Sequence, residues 1–447
     1  MKKIINFLTT FILLIIYWII AATIPSFQFT MDIMSIVTVI SWFIINLKLH
    51  KTVIFANLYF FLSLLTTLSI SLVLELNIFL TEVQEMTYQT GLPIRASIQV
   101  FLLLSGLLLG YDFFNKYITQ FTFRSFDNFS NKIIVTSIIL FCLLFTAILL
   151  CIYLINGVPI FSDVHRQDYW AGSPYSWGAT LVNALIQFSL GFGFLYQKSK
   201  NNKYLYILGI ILIMLFLSGV RFTGLITTLL LFFTPTLILE PDAIKLINKK
   251  FLITFSTIFI IVGIGVSLGF QSMNDVSSSQ RILTRLSLQP QMWWMIDRNA
   301  DSSMKSIELI LKSYFGFDMN DKNTGPYYFM FKFAPTYVAN SLYETRSTFT
   351  SIGVFNHVYF FGYFIGGFIN FLYGILLSFF TWFFVNTLKF NNIIMVLISF
   401  RLAYLLQIII VSGTNYQLIL LPNIVLMLIA FILILLTTSK ERNPNYA

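Results

Sequence analysis

Residues 271–356 read QSMNDVSSSQRILTRLSLQPQMWWMIDRNADSSMKSIELILKSYFGFDMNDKNTGPYYFMFKFAPTYVANSLYETRSTFTSIGVFN and lie between blocks of hydrophobic sequence. The stretch concentrates charge in a chain that has little. It holds seven of the 18 acidic residues (Asp275, Asp297, Asp301, Glu308, Asp318, Asp321, Glu344). It also holds eight of the 28 lysines and arginines (Arg281, Arg285, Arg298, Lys305, Lys312, Lys322, Lys332, Arg346). A connection between membrane helices needs only a few residues, and one this long is functional or disordered. Its aromatic content and patterning argue against disorder.

Two short amphipathic helices are expected inside it. Ser277 followed by Gln280 fits a capping box, in which each side chain satisfies a free backbone N–H. Arg281 and Arg285, four apart, share a face. Ile282, Leu286 and Trp293 favour another face, turned to the membrane or to a helix bundle. Pro290 kinks or ends this helix. The second helix runs from a cap at Asp301 or Ser302 to Gly316, with Met304, Ile307 and Leu311 on one stripe and Glu308 paired with Lys312. Asp318, Asn320, Asp321 and Asn323 resemble a calcium loop faintly. Lys322 stands at the next required oxygen position, so the reading is a plain turn.

Outside this stretch the chain is apolar. Of 447 residues, 57% are hydrophobic and 10% charged, with mean hydropathy +0.82. That is far beyond a soluble domain. A spanning helix needs about 20 apolar residues, and such runs recur at 4–24, 31–47, 53–79, 94–114, 132–155, 175–196, 204–219, 222–239, 251–270, 355–388, 393–412 and 416–436. The expected class is an all-α polytopic integral membrane protein with about 12 transmembrane helices. Residues 1–270 form a bundle of nine spans with an outer loop at 156–174. Residues 271–354 form the large outer loop, and 355–447 add three spans and a short tail. Lys2 and Lys3 precede the first run, whose end (Ala21-Ala22-Thr23-Ile24-Pro25) is a poor cleavage site, so an uncleaved anchor is expected. Run 355–388 is too long for one upright helix and tilts or begins outside the bilayer. Ser218-Gly219-Val220-Arg221 breaks 204–239 into a hairpin. Cys142 and Cys151 fall on one helix, about half a turn out of phase, and cannot bridge each other. The net charge of +10 points to lipid head groups or anionic ligands rather than nucleic acid.

Lysine and arginine set the orientation. With the N-terminus inside, the cytoplasmic side carries 14 lysines and two arginines, and both termini are cytoplasmic. The outer side carries four lysines and seven arginines: Arg95, Arg166, Arg221, Arg281, Arg285, Arg298 and Arg346. A guanidinium grips phosphate or carboxylate with a planar fork. The outer face therefore reads as a surface for an anionic ligand or as ordinary surface charge. Arg401 falls within a span, where charge is costly and faces a bundle interior or an aqueous cavity.

The outer loop Asn156–Trp177 packs Asp163, His165, Arg166 and Asp168 into six residues. A histidine beside carboxylates can act as a base near neutral pH, and an arginine can hold a leaving phosphate. The other reading is a polar re-entry loop with turn residues. His357 opens the 355–388 span, and His50 is expected at the cytoplasmic surface. Trp170, Trp177, Trp293 and Trp294 cluster outward. Membrane-interface anchoring is the usual reason, and stacking on sugar rings is the functional one. Gly106/Gly110, Gly265/Gly269 and Gly362/Gly366 read as helix packing. No Walker A loop, HExxH, GxSxG or external Asp-x-Asp pair occurs, which disfavours an ATPase and a metal-dependent glycosyltransferase of soluble type.

With these features the chain resembles the Wzy-type polymerases of O-antigen and capsular polysaccharide. The likeness lies in Asn156-Gly157-Val158-Pro159-Ile160-Phe161-Ser162, in Leu217-Ser218-Gly219-Val220-Arg221, and in the long arginine-bearing loop before Phe355. The family's pattern of an arginine, ten residues and a glycine is not met: Arg166 reaches Gly178 with eleven between, and Arg281 has no glycine at that distance. The resemblance implies a bacterial inner-membrane glycosyltransferase of GT-C-like type, with no metal and no cofactor. Its substrates would be undecaprenyl-diphosphate-linked oligosaccharides in the bilayer, joined at the periplasmic face, with a chain-length regulator protein as partner. Asp163, His165 and Arg166 would be catalytic. Arg221, Arg281, Arg285, Arg346, Arg401 and His357 would bind diphosphate or substrate, and Trp170, Trp293 and Trp294 would stack on sugars. The alternatives are an O-antigen ligase and a lipid-linked oligosaccharide flippase.

Overall fold

The computed structural model describes Ile12, Ile15 and residues 28–118, 121–123, 128–162, 169–170, 172–220, 222–240, 286–300, 303–318, 320–345, 347–349, 351–390 and 392–440. The described chain is helical apart from short strand pairs. Six of its helices are long and apolar enough to cross a membrane: Phe29–Leu49, Leu92–Tyr117, Lys132–Phe161, Gly178–Ser199, Phe355–Lys389 and Ile393–Ser412. Shorter apolar helices are Leu58–Leu74, Lys203–Leu217, Gly224–Leu239 and Leu421–Ile432. These ten fall on ten of the expected spans. The expected 251–270 and nearly all of 4–24 lie outside the described residues.

Contacts divide the chain into two compact units. The first comprises Met1–Thr119, Ser277–Trp382 and Arg401–Phe431, and the second Gln120–Val276, Phe383–Phe400 and Ile432–Ala447. Hydropathy cuts the chain at 270 and 354. Packing groups the polar stretch with the helices of the first unit.

In the first unit the Leu92–Tyr117 helix meets the long helix that ends at Lys389 along glycines. A Cβ on Gly106 would strike the Phe371 carbonyl, one on Gly110 the Ser378 hydroxyl, and one on Gly374 the Leu103 carbonyl. Small residues let two backbones approach this closely, as expected for Gly106/Gly110. Gly362 has a different role. Its φ of 75° and ψ of 171° break the helix that starts at Phe355. The segment before it folds back along the segment after it: Asn370 Nδ2 donates to the Val354 carbonyl at 3.1 Å, and a Cβ on Gly366 would lie 2.8 Å from the His357 carbonyl. In one straight helix, positions nine apart would be separated by about 13 Å. The excess length of the run is thus taken up by a reversal. Gly362→Ala is expected to cost about 1–3 kcal/mol, because that backbone conformation is essentially restricted to glycine. An unchanged unfolding midpoint in detergent would contradict it.

Asn57 interrupts the 53–79 run between helices Lys51–Ala56 and Leu58–Leu74. Its amide is buried, donating to Val53 O (2.9 Å) and Thr381 Oγ1 (3.1 Å) and accepting from Gln407 Nε2 (2.7 Å). His50, expected at a free surface, is largely buried and faces Asp112 at 3.4 Å.

In the second unit Gly193 sits against the Phe232 carbonyl. Lys200, which follows the Gly178–Ser199 helix, pairs with Glu240, which follows the Phe222–Leu239 helix, at 3.3 Å. These two helices therefore run parallel, and Lys203–Leu217 runs back between their ends. The turn at Ser218-Gly219 is the expected hairpin break, with Gly219 at φ 68° and the Ser218 hydroxyl bonded to that of Tyr153.

Candidate functional site

From Leu286 onward, the described residues of the polar stretch build a cap on the first unit. Pro290 ends one helical turn and precedes the next helix, Gln291–Asn299. The proline thus does what was expected, but Leu286 and Trp293 do not continue one face: Leu286 is exposed and Trp293 fully buried. The second helix begins at Ile307 with Ser306 as its cap, whose hydroxyl accepts from Leu309 N. It passes into a π-turn, Ile310–Tyr314, and reverses at Gly316 (φ 72°). Glu308 and Lys312 pair at 2.7 Å; of the residues expected on one stripe, Ile307 and Leu311 are exposed and Met304, also exposed, precedes the helix. Asp318 accepts from Asn320 N and from the Asn323 amide, so its carboxylate closes the turn. Helices Gly325–Phe333 and Thr336–Glu344 follow.

An ionic knot fastens the cap. Arg95, near the start of the Leu92–Tyr117 helix, grips Asp297 with a fork: Nε to Oδ1 at 2.6 Å and Nη2 to Oδ2 at 2.5 Å. Nη2 also donates to Thr90 O at 2.6 Å, and the Tyr363 hydroxyl donates to Asp297 Oδ1. Glu75 accepts from the Thr90, Gly91 and Leu92 N–H groups at 2.6, 3.0 and 3.2 Å. It neutralises the positive N-terminus of that helix. Asp32 is fully buried at the same terminus, towards the Ile94 N–H but without a hydrogen bond of good geometry. A two-stranded hairpin, Phe79–Leu80 with Glu85–Met86, adds Glu85 to Arg298 and Glu82 to Gln291.

A polar chain continues inward. Gln99 Nε2 donates to Tyr363 O at 3.3 Å, and Asn370 Nδ2 donates to Gln99 Oε1 at 2.9 Å. Because Asn370 Nδ2 also donates to a backbone carbonyl, its Oδ1 is the atom that meets His357 Nδ1, at 2.7 Å. A neutral His357 then carries its proton on Nδ1 and presents a lone pair at Nε2. That nitrogen faces the side chain of Asn415 without a hydrogen bond of good geometry. Tyr373 and Tyr314 flank the ring at 4.6 and 5.8 Å.

The sequence model of a family of unknown function (DUF6418) matches residues 319–429. The matched stretch contains the fold-back at Gly362, His357, Asn370, Asn415 and the helices Gly325–Phe333 and Thr336–Glu344. No curated protein and no solved structure matches the chain.

Of the residues nominated from sequence, Asp163, His165, Arg166, Arg221, Arg281, Arg285 and Arg346 lie outside the described residues. The tryptophans proposed to stack on sugars are packing residues in this structure. Trp293 and Trp294 are 0% exposed. Trp293 lies on Phe355 at 5.5 Å, while Trp294 meets Tyr88 edge-on and bonds its carbonyl. Trp170 is buried against Gly178. His357, proposed for diphosphate or substrate, is 1% exposed and is held in the polar chain instead of facing a solvent-borne ligand. Arg401 is half-buried, and its charge acts on the Tyr404 hydroxyl.

Sequence reasoning missed the Arg95–Asp297–Tyr363 knot, Glu75 and Asp32. A signal existed. Asp32, Glu75 and Arg95 all fall inside or at the edge of expected spans, where charge is costly and needs a partner. It also missed a cluster of lysines and tyrosines. Lys332 Nζ lies 5.7 Å from the Tyr328 ring centre and 5.2 Å from that of Tyr359. Lys305 Nζ lies 5.2 Å from the Tyr359 ring centre.

Proposed function

We propose that this protein is a surface-polysaccharide polymerase of the bacterial inner membrane. It joins undecaprenyl-diphosphate-linked oligosaccharide repeat units at the periplasmic face. An acceptor sugar hydroxyl attacks the anomeric carbon of the growing chain, the glycosidic bond forms, and undecaprenyl diphosphate leaves with the bonding electron pair. The proton from the hydroxyl goes to a base in the 156–174 loop, Asp163 or His165. Arg166 and the outer arginines, Arg281 and Arg285 first, stabilise the departing diphosphate as a metal does elsewhere. The chain crosses the membrane twelve times, with both termini in the cytoplasm.

One observation carries the reading. The described part of the long polar stretch, from Leu286 onward, is a folded cap, with buried tryptophans and a forked Arg95–Asp297 ion pair. A flippase would be expected to have short loops and to keep its charge along a central cavity. Ordering so long a stretch costs conformational entropy, and a substrate platform on the outer face explains why it is ordered. The Lys200–Glu240 pair also joins two chain positions that lysine placement assigns to one side.

On this topology a periplasm-dependent reporter fused after Asn320 is active, and one fused after Lys200 is inactive. The reverse pattern would move both loops off the outer face. The function is tested by deleting the gene and resolving surface glycan on a gel. Loss of the ladder with one repeat unit retained means polymerase. Loss of all repeat units means ligase or flippase, and an unchanged ladder rejects all three.

A further inference from the structure

One helix of the cap carries more apolar surface than the bundle covers. In the helix and π-turn over 307–314, Ile310, Ser313 and Tyr314 are buried, and the Tyr314 ring lies 5.3 Å from those of Phe360 and Phe361. Ile307 and Leu311, four apart, share another side. Both are exposed, Ile307 to 67%. Phe317 joins them: its N–H donates to Leu311 O at 3.1 Å, and its ring is exposed as well. The Glu308–Lys312 pair stands beside this patch, each member following one of its helical residues. A short helix that is apolar on its covered side, apolar on one flank and charged on the next has the pattern of a helix lying in a membrane interface.

The position of the patch agrees. Lys305 N–H donates to Phe360 O at 2.9 Å, so the segment lies alongside the residues just before Gly362. From Gly362 the span runs on to Lys389. At about 1.5 Å per residue this stretch is about 40 Å long, the thickness of a bilayer with its head groups. With Lys389 at one surface, the reversal at Gly362 is at the head-group level of the other. Along the same span Phe364, Phe368, Leu372 and Leu376 are exposed, Phe364 to 92%. Their spacing of four makes one continuous stripe, and on a membrane-crossing helix an exposed apolar stripe faces lipid. It starts just after the reversal beside which the cap patch lies.

We propose that Ile307, Leu311 and Phe317 dip into the bilayer surface on the side of the cap, with the Glu308–Lys312 pair turned to water. The occupant of this face is lipid, because the patch adjoins the lipid-facing stripe of the span and lies at head-group level. The cap is thereby held at two places, to the bundle by the Arg95–Asp297 pair and to the membrane by this flank. This contact does not depend on the polymerase reading, since it is measured without turnover.

The test uses the full-length protein carrying Cys142→Ala and Cys151→Ala, in nanodiscs of phosphatidylethanolamine and phosphatidylglycerol. A nitroxide is attached to one new cysteine at a time: Ile307→Cys, Leu311→Cys, Phe317→Cys, Glu308→Cys or Phe364→Cys. All five positions are exposed, so labels there displace no core packing. Electron paramagnetic resonance reads how often each label collides with oxygen, which concentrates in lipid, and with a water-soluble nickel chelate. Phe364→Cys is the lipid reference and Glu308→Cys the water reference. Labels at Ile307, Leu311 and Phe317 should give an oxygen-to-nickel ratio well above that at Glu308 and close to that at Phe364. A ratio matching Glu308 would place the patch in water. Shielding from both reagents would mean that protein covers it, such as a second copy of this chain. A label at Phe364 dominated by nickel would remove the lipid-facing stripe. Each of these three results overturns the proposal.

Discussion

Asp297→Ala is expected to destabilise the protein by about 3 kcal/mol and to release the cap from the first unit. Removing one partner of a buried ion pair costs about 3–5 kcal/mol, because the other charge is left uncompensated. The lower end applies, since the Asp297 side chain is 0% exposed but that of Arg95 is 36% exposed, so water recovers part of the loss. The substitution removes more than the pair: both arms of the Arg95 fork and the Tyr363 hydroxyl lose their acceptor at once. Arg95→Lys keeps the charge and loses the fork, so it should be milder. Thermal unfolding in detergent, combined in a cycle with Arg95→Ala, measures the coupling. A double variant no less stable than Asp297→Ala alone indicates that Arg95 contributes only through Asp297. Additive losses would mean that the fork contributes little.

The second large effect is on activity. Asp163→Asn, His165→Ala and Arg166→Ala should each abolish chain extension while the protein stays in the membrane at its normal level. The basis is the sequence of the loop: four ionisable residues within six positions of a chain that is only 10% charged. Removing a general base typically costs about 100-fold to 10,000-fold in rate, enough to erase a ladder. A full ladder from all three variants would make the loop a structural turn.

Hydropathy made much of the fold legible, because a spanning helix is a local property of about 20 residues. The helices Leu92–Tyr117 and Ile393–Ser412 cover the runs expected at 94–114 and 393–412. Local turn and pairing chemistry was readable for the same reason, as at Pro290, Gly316 and the Glu308/Lys312 pair, while the cap of the second helix is Ser306 where Asp301 or Ser302 was expected. Two kinds of feature were not. The first is backbone geometry. Gly362 and Gly366 have the spacing of a helix-packing motif, and only the φ of 75° distinguishes a reversal from a packed face. The second is partnership at long range. Arg95 and Asp297 are 202 positions apart, and nothing near either one names the other. The tryptophans show the same limit. Position in an outer stretch fits an interface anchor, a sugar platform or a core residue equally, and packing made Trp293 and Trp294 core residues.

The most direct test of the central claim is turnover by the purified full-length protein in nanodiscs, supplied with a synthetic undecaprenyl-diphosphate-linked repeat unit. The account predicts a series of products, each longer by one repeat unit, with one undecaprenyl diphosphate released per bond formed. It also predicts that Arg166→Ala yields none. Protein that binds this substrate and moves it across a liposome membrane without forming any dimer would contradict the account.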